Sequence, residues 1–250
     1  MNYRNIIIGS APRTGGMWTY NVIREIFVNQ KKNIIPLSYC SDDEMLKHHL
    51  NNLNSHNDII SIIKIHKIIK KQYTNKTKIV INIRDPRDAV ISYKRFMKLK
   101  NYSFQQTIKF INNSIDLIYY YRKNYNKEKL LEINFNDITD NPHKIFTKLE
   151  KFLYLKINKK MVNKIIEKFS KKKVSEIIEK MRKTSKSNLV ALNKNTIRKL
   201  DEKTGFQIGH VSDYKEGDWQ QHFSDKEILD INNKLEELSH QKKIYFKSKN

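Results

Sequence analysis

Cysteine, glycine, proline and long apolar runs are all scarce in this chain of 250 residues, and each shortage excludes something. The lone cysteine, Cys40, cannot close an internal disulfide, and no Cys/His array has the spacing of a zinc site, so neither bridges nor a metal is expected. No apolar run approaches the roughly 18–20 residues that cross a bilayer, so no membrane span is expected. The stretch Asn5-Ile6-Ile7-Ile8-Gly9 is too short an apolar core for a secretory leader, and the expected location is cytoplasmic. Acidic side chains are outnumbered too: 26 Asp+Glu face 49 Lys+Arg, a formal charge of +23. Such a balance suits phosphate backbones, and a basic nucleic-acid-binding module without catalysis is one reading. Lysine, asparagine and isoleucine, however, are over-used along the whole length, in loops and helices alike, as a compositional bias would place them. Nucleic acid is therefore not the expected partner, while an anionic small molecule would profit from the same field.

What the chain does have is periodicity. Ile, Leu, Phe and Tyr recur in short blocks from residue 5 to about 239, and no linker or internal repeat interrupts them, so residues 1–250 read as a single domain. Ile/Val-rich runs at Asn5–Gly9, Ile59–Ile65, Lys78–Ile83 and Leu130–Asn134 alternate with longer helical patterns. That alternation predicts an α/β fold, a three-layer α/β/α arrangement around a central parallel sheet of about four or five strands. Helices are expected at Met17–Val28, from Asp85 onward, over Ser103–Tyr121, from Asn141-Pro142 through Leu153, over 159–183 as one or two basic helices, and from Ser224 to about Leu238. Asp85 suits an N-cap before Pro86, and Ser224-Asp225-Lys226-Glu227 has the pattern of a capping box. Ala89, Tyr93 and Phe96 form the apolar side of the helix after Asp85, and the polar stretch 184–223 reads as loop-rich, long enough for a lid or cap.

Three of the six glycines, Gly9, Gly15 and Gly16, sit between the first strand and the first helix. A glycine-poor chain that spends half its glycine there needs that backbone for close approach. The segment Gly9-Ser10-Ala11-Pro12-Arg13-Thr14-Gly15-Gly16-Met17-Trp18 is thus predicted to be a P-loop-like phosphate-binding turn. Helix N-terminal N–H groups draw an anion, Arg13 adds a cation and Thr14 a hydroxyl. It is not a Walker A loop, since the later glycine and the Lys-Ser/Thr pair are missing; an ATP-dependent kinase with an atypical phosphate loop remains an alternative. Downstream, Ile83-Arg84-Asp85-Pro86-Arg87-Asp88-Ala89-Val90-Ile91-Ser92 sets an arginine at a strand end and a serine two turns into the next helix, a pair able to hold a phosphate. In Ile62-Ile63-Lys64-Ile65-His66, Lys64 and His66 fall on one face of a strand. A histidine after an apolar run is, by itself, more often structural than catalytic.

In this order, the segments resemble the sulfotransferases that use 3′-phosphoadenosine-5′-phosphosulfate (PAPS). The resemblance implies that Pro12–Trp18 is the loop for the 5′-phosphosulfate, with Arg13, Thr14, Gly15 and Trp18 matching. Gly16 and Met17 replace two hydroxyl residues and leave only backbone donors there. It implies that the Arg84-to-Ser92 segment holds the 3′-phosphate and that Lys64-x-His66 carries the catalytic base. Gly217-Asp218-Trp219-Gln220-Gln221-His222-Phe223 resembles the family's C-terminal Gly-Asp-Trp-x-x-x-Phe stretch, with Trp219 expected to pack in the core. Ser212-Asp213-Tyr214 stand where the family has Arg-Lys-Gly, and Lys215 is the nearest cation. Phe135 occupies the place of a tyrosine that touches adenine.

The implied activity is transfer of the sulfuryl group from PAPS, as co-substrate and without a metal, to a hydroxyl or amine of a small-molecule or saccharide acceptor. His66 would be the base, with Lys64 and Arg13 stabilising charge. Arg13, Thr14, Gly15, Gly16, Met17, Trp18, Arg84, Ser92, Phe135, Lys215 and Gly217 would hold the nucleotide. Parts of 35–58, 97–106 and 184–215 would line the acceptor pocket.

Overall fold

Asn5–Gly9 (β1), Ile34–Cys40 (β2), Ile60–Ile65 (β3), Thr77–Ile83 (β4) and Leu130–Asn134 (β5) pair in the order β2-β3-β1-β4-β5, every neighbour parallel. They come from a computed structural model that describes residues 3–40, 42–52, 59–70, 76–183, 188–193, 196–201, 204–211 and 216–246. Helices α1 (Gly16–Asn29), α2 (Asp43–Asn52), α3 (Pro86–Met97), α4 (Phe104–Asn124), α5 (Phe135–Asp140), α6 (Pro142–Leu153), α7 (Lys159–Lys168), α8 (Lys171–Lys183) and α9 (Asp225–Lys242) complete the layers.

A parallel strand covered on both faces must be apolar at successive positions, which is what the isoleucine runs supply. Alternate residues then serve opposite cores. Ile6, Ile8, Ile60, Ile62 and Val80 pack with side chains of α1, α6, α7 and α8. Ile7, Ile63, Ile65, Ile79 and Ile81 pack with those of α3, α4 and α9. From β1 the chain builds β2 and β3 on one side, then crosses to β4 and β5 on the other. The loops leaving β1 and β4 therefore diverge and open a crevice at the carboxyl edge of the sheet.

Four of the five strands lie within a residue of their expected limits, and the three-layer α/β/α class is the one observed. The helix entries behave as their chemistry suggests: Asp85 accepts from the Arg87 N–H, and Ser103 and Ser224 each close a capping box. Strand β2 was not expected, because Pro36 interrupts its run; it pairs only with β3, an edge position where a missing N–H is tolerated. The loop-rich reading of 184–223 is corrected by an antiparallel pair, β6 (Asn188–Asn193) with β7 (Thr196–Leu200), and by a 3-10 turn at Asp218–His222. Among the described residues no helix is long and apolar enough to cross a membrane.

Candidate active site

The β1–α1 loop is fastened from below before anything binds above it. Ser10 Oγ donates to Asn82 Oδ1 (3.1 Å) and accepts from the Asn82 N–H (2.8 Å), while Asn82 Nδ2 donates to Thr19 Oγ1 (2.7 Å). These buried groups tie the ends of β1 and β4 to the first turn of α1. Thr14 belongs to the same support: its hydroxyl donates to the Ala11 carbonyl (2.7 Å), and its side chain is buried beneath the loop. Gly15, at φ +92°, caps α1, and a Cβ there would come within 2.5 Å of Ile138 Cδ1. Glycine is required by both conformation and space.

Arg13 holds a left-handed backbone, φ +66°, that costs a non-glycine residue energy and is fixed from several sides. Its Nε donates to Ser92 Oγ (3.0 Å), and its terminal nitrogen donates to the carbonyls of Gly209 (3.3 Å) and His210 (3.2 Å). The guanidinium lies 4.5 Å over the Phe96 ring, which stacks in turn on His210. Arg84, just past β4, donates to the Arg13 carbonyl (2.6 Å), covers the Phe135 ring at 4.2 Å and pairs with Glu216. Burial holds the Glu216 carboxyl above the usual carboxylate range, against the pull of Arg84.

Lys64 and His66 meet as their shared strand face implies, Nζ to Nε2 at 2.7 Å. The other ring nitrogen, Nδ1, stands 2.7 Å from the Ser10 carbonyl oxygen, which can only accept. Nδ1 therefore carries the proton, and Nε2 is the bare, basic nitrogen that accepts from Lys64. Burial, reinforced by the positive charge of Arg13, pushes Lys64 down to about 7. Burial and then the Lys64 charge push His66 down to about 3, although the Ser10 carbonyl favours its charged form. The imidazole is neutral across the physiological range.

A cleft of about 970 Å³ opens over these groups. It is lined by Arg13, Gly15, Gly16, Met17, Trp18, Lys64, His66, Arg84, Ser92 and Phe135, so ten of the thirteen residues singled out in the sequence share one cavity. Thr14 stands behind the loop. The Gly217 N–H is held by both carboxylate oxygens of Asp88 (3.0 and 3.1 Å), and Gly217 is not part of the lining. Lys215, like Ser212–Tyr214, lies outside the described residues. Trp219 is buried in the core, beneath Arg87.

Glu216, Tyr93 and Phe96 line the cleft without having been expected there, whereas Tyr39, Gln207 and His210 fall within the segments 35–58 and 184–215 expected to border the acceptor. The spacing puts Tyr93 and Phe96 on an apolar helix face, and spacing cannot tell a core from a cavity wall. Tyr39 sits on the unexpected β2, and Gln207 and His210 on the stretch read as loop.

A parallel sheet with an anion-type loop at its switch point, paired arginines and a lysine–histidine couple in one cleft is the architecture of an α/β enzyme acting on a phosphorylated ligand. A profile of the sulfotransferase domain matches residues 3–243, and the chain belongs to that family. It is a sulfotransferase, as its motifs implied. Among solved structures, mouse sulfotransferase SULT7A1 complexed with PAP is similar over 97% of this chain and 85% of its own, at 18% identity and a TM-score of 0.66. Retinol dehydratase in complex with androsterone and inactive cofactor PAP is similar over 97% and 82%, at 14% identity and a TM-score of 0.66. At those identities the likeness is one of fold. Comparison with curated protein sequences finds no match.

Proposed function

We propose that the cleft binds PAPS and that His66 takes the proton of an acceptor hydroxyl or amine as the sulfuryl group is transferred. The observation that carries this reading is the convergence of His66, Lys64, Arg13 and Arg84 on the single loop 10–16, through the Ser10 and Arg13 carbonyls. The residues present fit a doubly anionic nucleotide. Arg84 Nε is buried without a hydrogen-bond partner beside the cleft.

Arg13, the backbone of Gly15 to Met17 and the start of α1 would face the 5′-phosphosulfate. Arg84 and Ser92 would face the 3′-phosphate, and Trp18 and Phe135 would flank the adenine. PAPS supplies the activated sulfuryl group; this chain supplies charge and a proton acceptor. Lys64 now donates to Nε2. Turning its ammonium to the phosphosulfate would free that lone pair for the acceptor's proton and place a cation where charge develops on the leaving oxygen. The acceptor is a small molecule or saccharide admitted beside Tyr39, Tyr93 and Met97.

The test is turnover of radiolabelled PAPS with a panel of phenols, sugars and amines. His66→Ala is expected to lose about 10²- to 10⁴-fold in turnover while still binding the desulfated product, adenosine 3′,5′-bisphosphate (PAP). Turnover retained in the variant overturns the base assignment, and a wild-type melting temperature unmoved by PAP overturns the nucleotide site.

A further inference from the structure

We propose that the carboxylate of Glu216 is an internal competitor for the nucleotide's 3′-phosphate, and so sets how strongly the enzyme prefers 3′-phosphorylated adenosine. The inference rests on the reading of Arg84 as the residue that receives that phosphate.

The geometry of Arg84 carries it. Its side chain is buried, with the guanidinium 4.2 Å over the Phe135 ring, so its position is set before a ligand arrives. One terminal nitrogen is committed to the Arg13 carbonyl. What remains is the side-on fork made by Nε and the second terminal nitrogen. Glu216 takes that second nitrogen through Oε1 alone, and Nε, buried, has no partner. A phosphate with two oxygens would fill the whole fork, the geometry arginine favours for oxyanions. The carboxylate therefore sits on half of the position a phosphate needs, satisfying it incompletely.

The backbone next to Glu216 is anchored, so its side chain stays within reach of Arg84. The next residue, Gly217, donates its N–H to both oxygens of Asp88 on the first turn of α3. A phosphate arriving at Arg84 thus meets a cation already neutralised, with a second carboxylate, Asp88, close behind. Binding must expel Glu216 from the guanidinium, and release of the spent nucleotide is assisted by its return. A nucleotide without the 3′-phosphate has no such contest at Arg84.

The experiment titrates PAP and adenosine 5′-phosphate against the wild type, Glu216→Gln and Glu216→Ala. Both variants are expected to bind PAP about tenfold more tightly, while adenosine 5′-phosphate shifts by less than about twofold, since only the first anion competes for the fork. Weaker or unchanged PAP affinity overturns the proposal, as does an equal shift for both nucleotides. Glu216→Gln keeps the side-chain volume and decides the matter should the alanine variant fail to fold, which its melting curve reports. Arg84→Ala in the Glu216→Ala background separates the two levels: the PAP preference should vanish. If it survives, the 3′-phosphate is bound elsewhere and the reading of Arg84 is at fault as well.

Discussion

Lys64 shows how one side chain is compromised for function. It is 5% exposed on a strand whose other residues are isoleucines and Ser61, and its ammonium faces a neutral imidazole, the Tyr39 ring and the Arg13 cation. Burial therefore brings its titration near neutrality, and an anion in the cleft would restore the charge. A ligand that favours the protonated lysine binds best below about 7, where the free protein already carries that proton. PAP affinity is expected to fall as pH rises above 7, by at most about tenfold per pH unit because a single proton is linked. Calorimetric titration from pH 6 to 9 measures it, and Lys64→Met should flatten the profile. A wild-type affinity constant across that range contradicts the assignment. Little of this was visible beforehand: the period of a strand put Lys64 and His66 on one face, but the tautomer of His66 depends on a carbonyl 56 residues away, at Ser10.

At the scale of elements, the β1–α1 turn divides its two adjacent glycines into different tasks. Gly15 is required by its positive φ and by the Ile138 methyl 2.5 Å from a built Cβ, whereas a Cβ on Gly16 would meet nothing closer than 3.5 Å. Gly15→Ala is expected to destabilise the fold by about 1–3 kcal/mol through strain at a left-handed position. Gly16→Ser should fold normally and tighten PAP binding up to about tenfold, by returning a hydroxyl donor to the helix N-terminus. Melting curves and PAP titrations of the two variants check this; equal losses in both would show that the loop tolerates no side chain at all. The elements that were legible are those whose signal is local. Isoleucine runs and caps such as Asp85 and Ser224 depend on neighbours within a few residues. Strand β2 was hidden by Pro36, whose tolerance depends on an edge position set by the whole sheet. The β6–β7 pair was hidden in a polar stretch whose strands find each other only by pairing.

At the scale of the molecule, the cleft is assembled from residues between Pro12 and Glu216, contributed by the ends of strands and by the segment 206–211 that packs over Arg13. The resemblance of separate motifs anticipated which residues would gather; it did not anticipate the groups that bind them to one another. Arg84 and Ser92 meet only through Arg13, and Glu216 closes the set. Of the 49 Lys and Arg residues, the cations that matter here are few: Lys64 and Arg84 are buried and Arg13 is half-buried. The most direct measurement of the account is calorimetric titration of the wild type, Arg13→Ala, Arg84→Ala and His66→Ala with PAP. One nucleotide per chain should bind the wild type and His66→Ala with similar affinity, and about 10- to 100-fold more weakly when either arginine is removed. Failure of PAP to bind, or binding indifferent to both arginines, would contradict it.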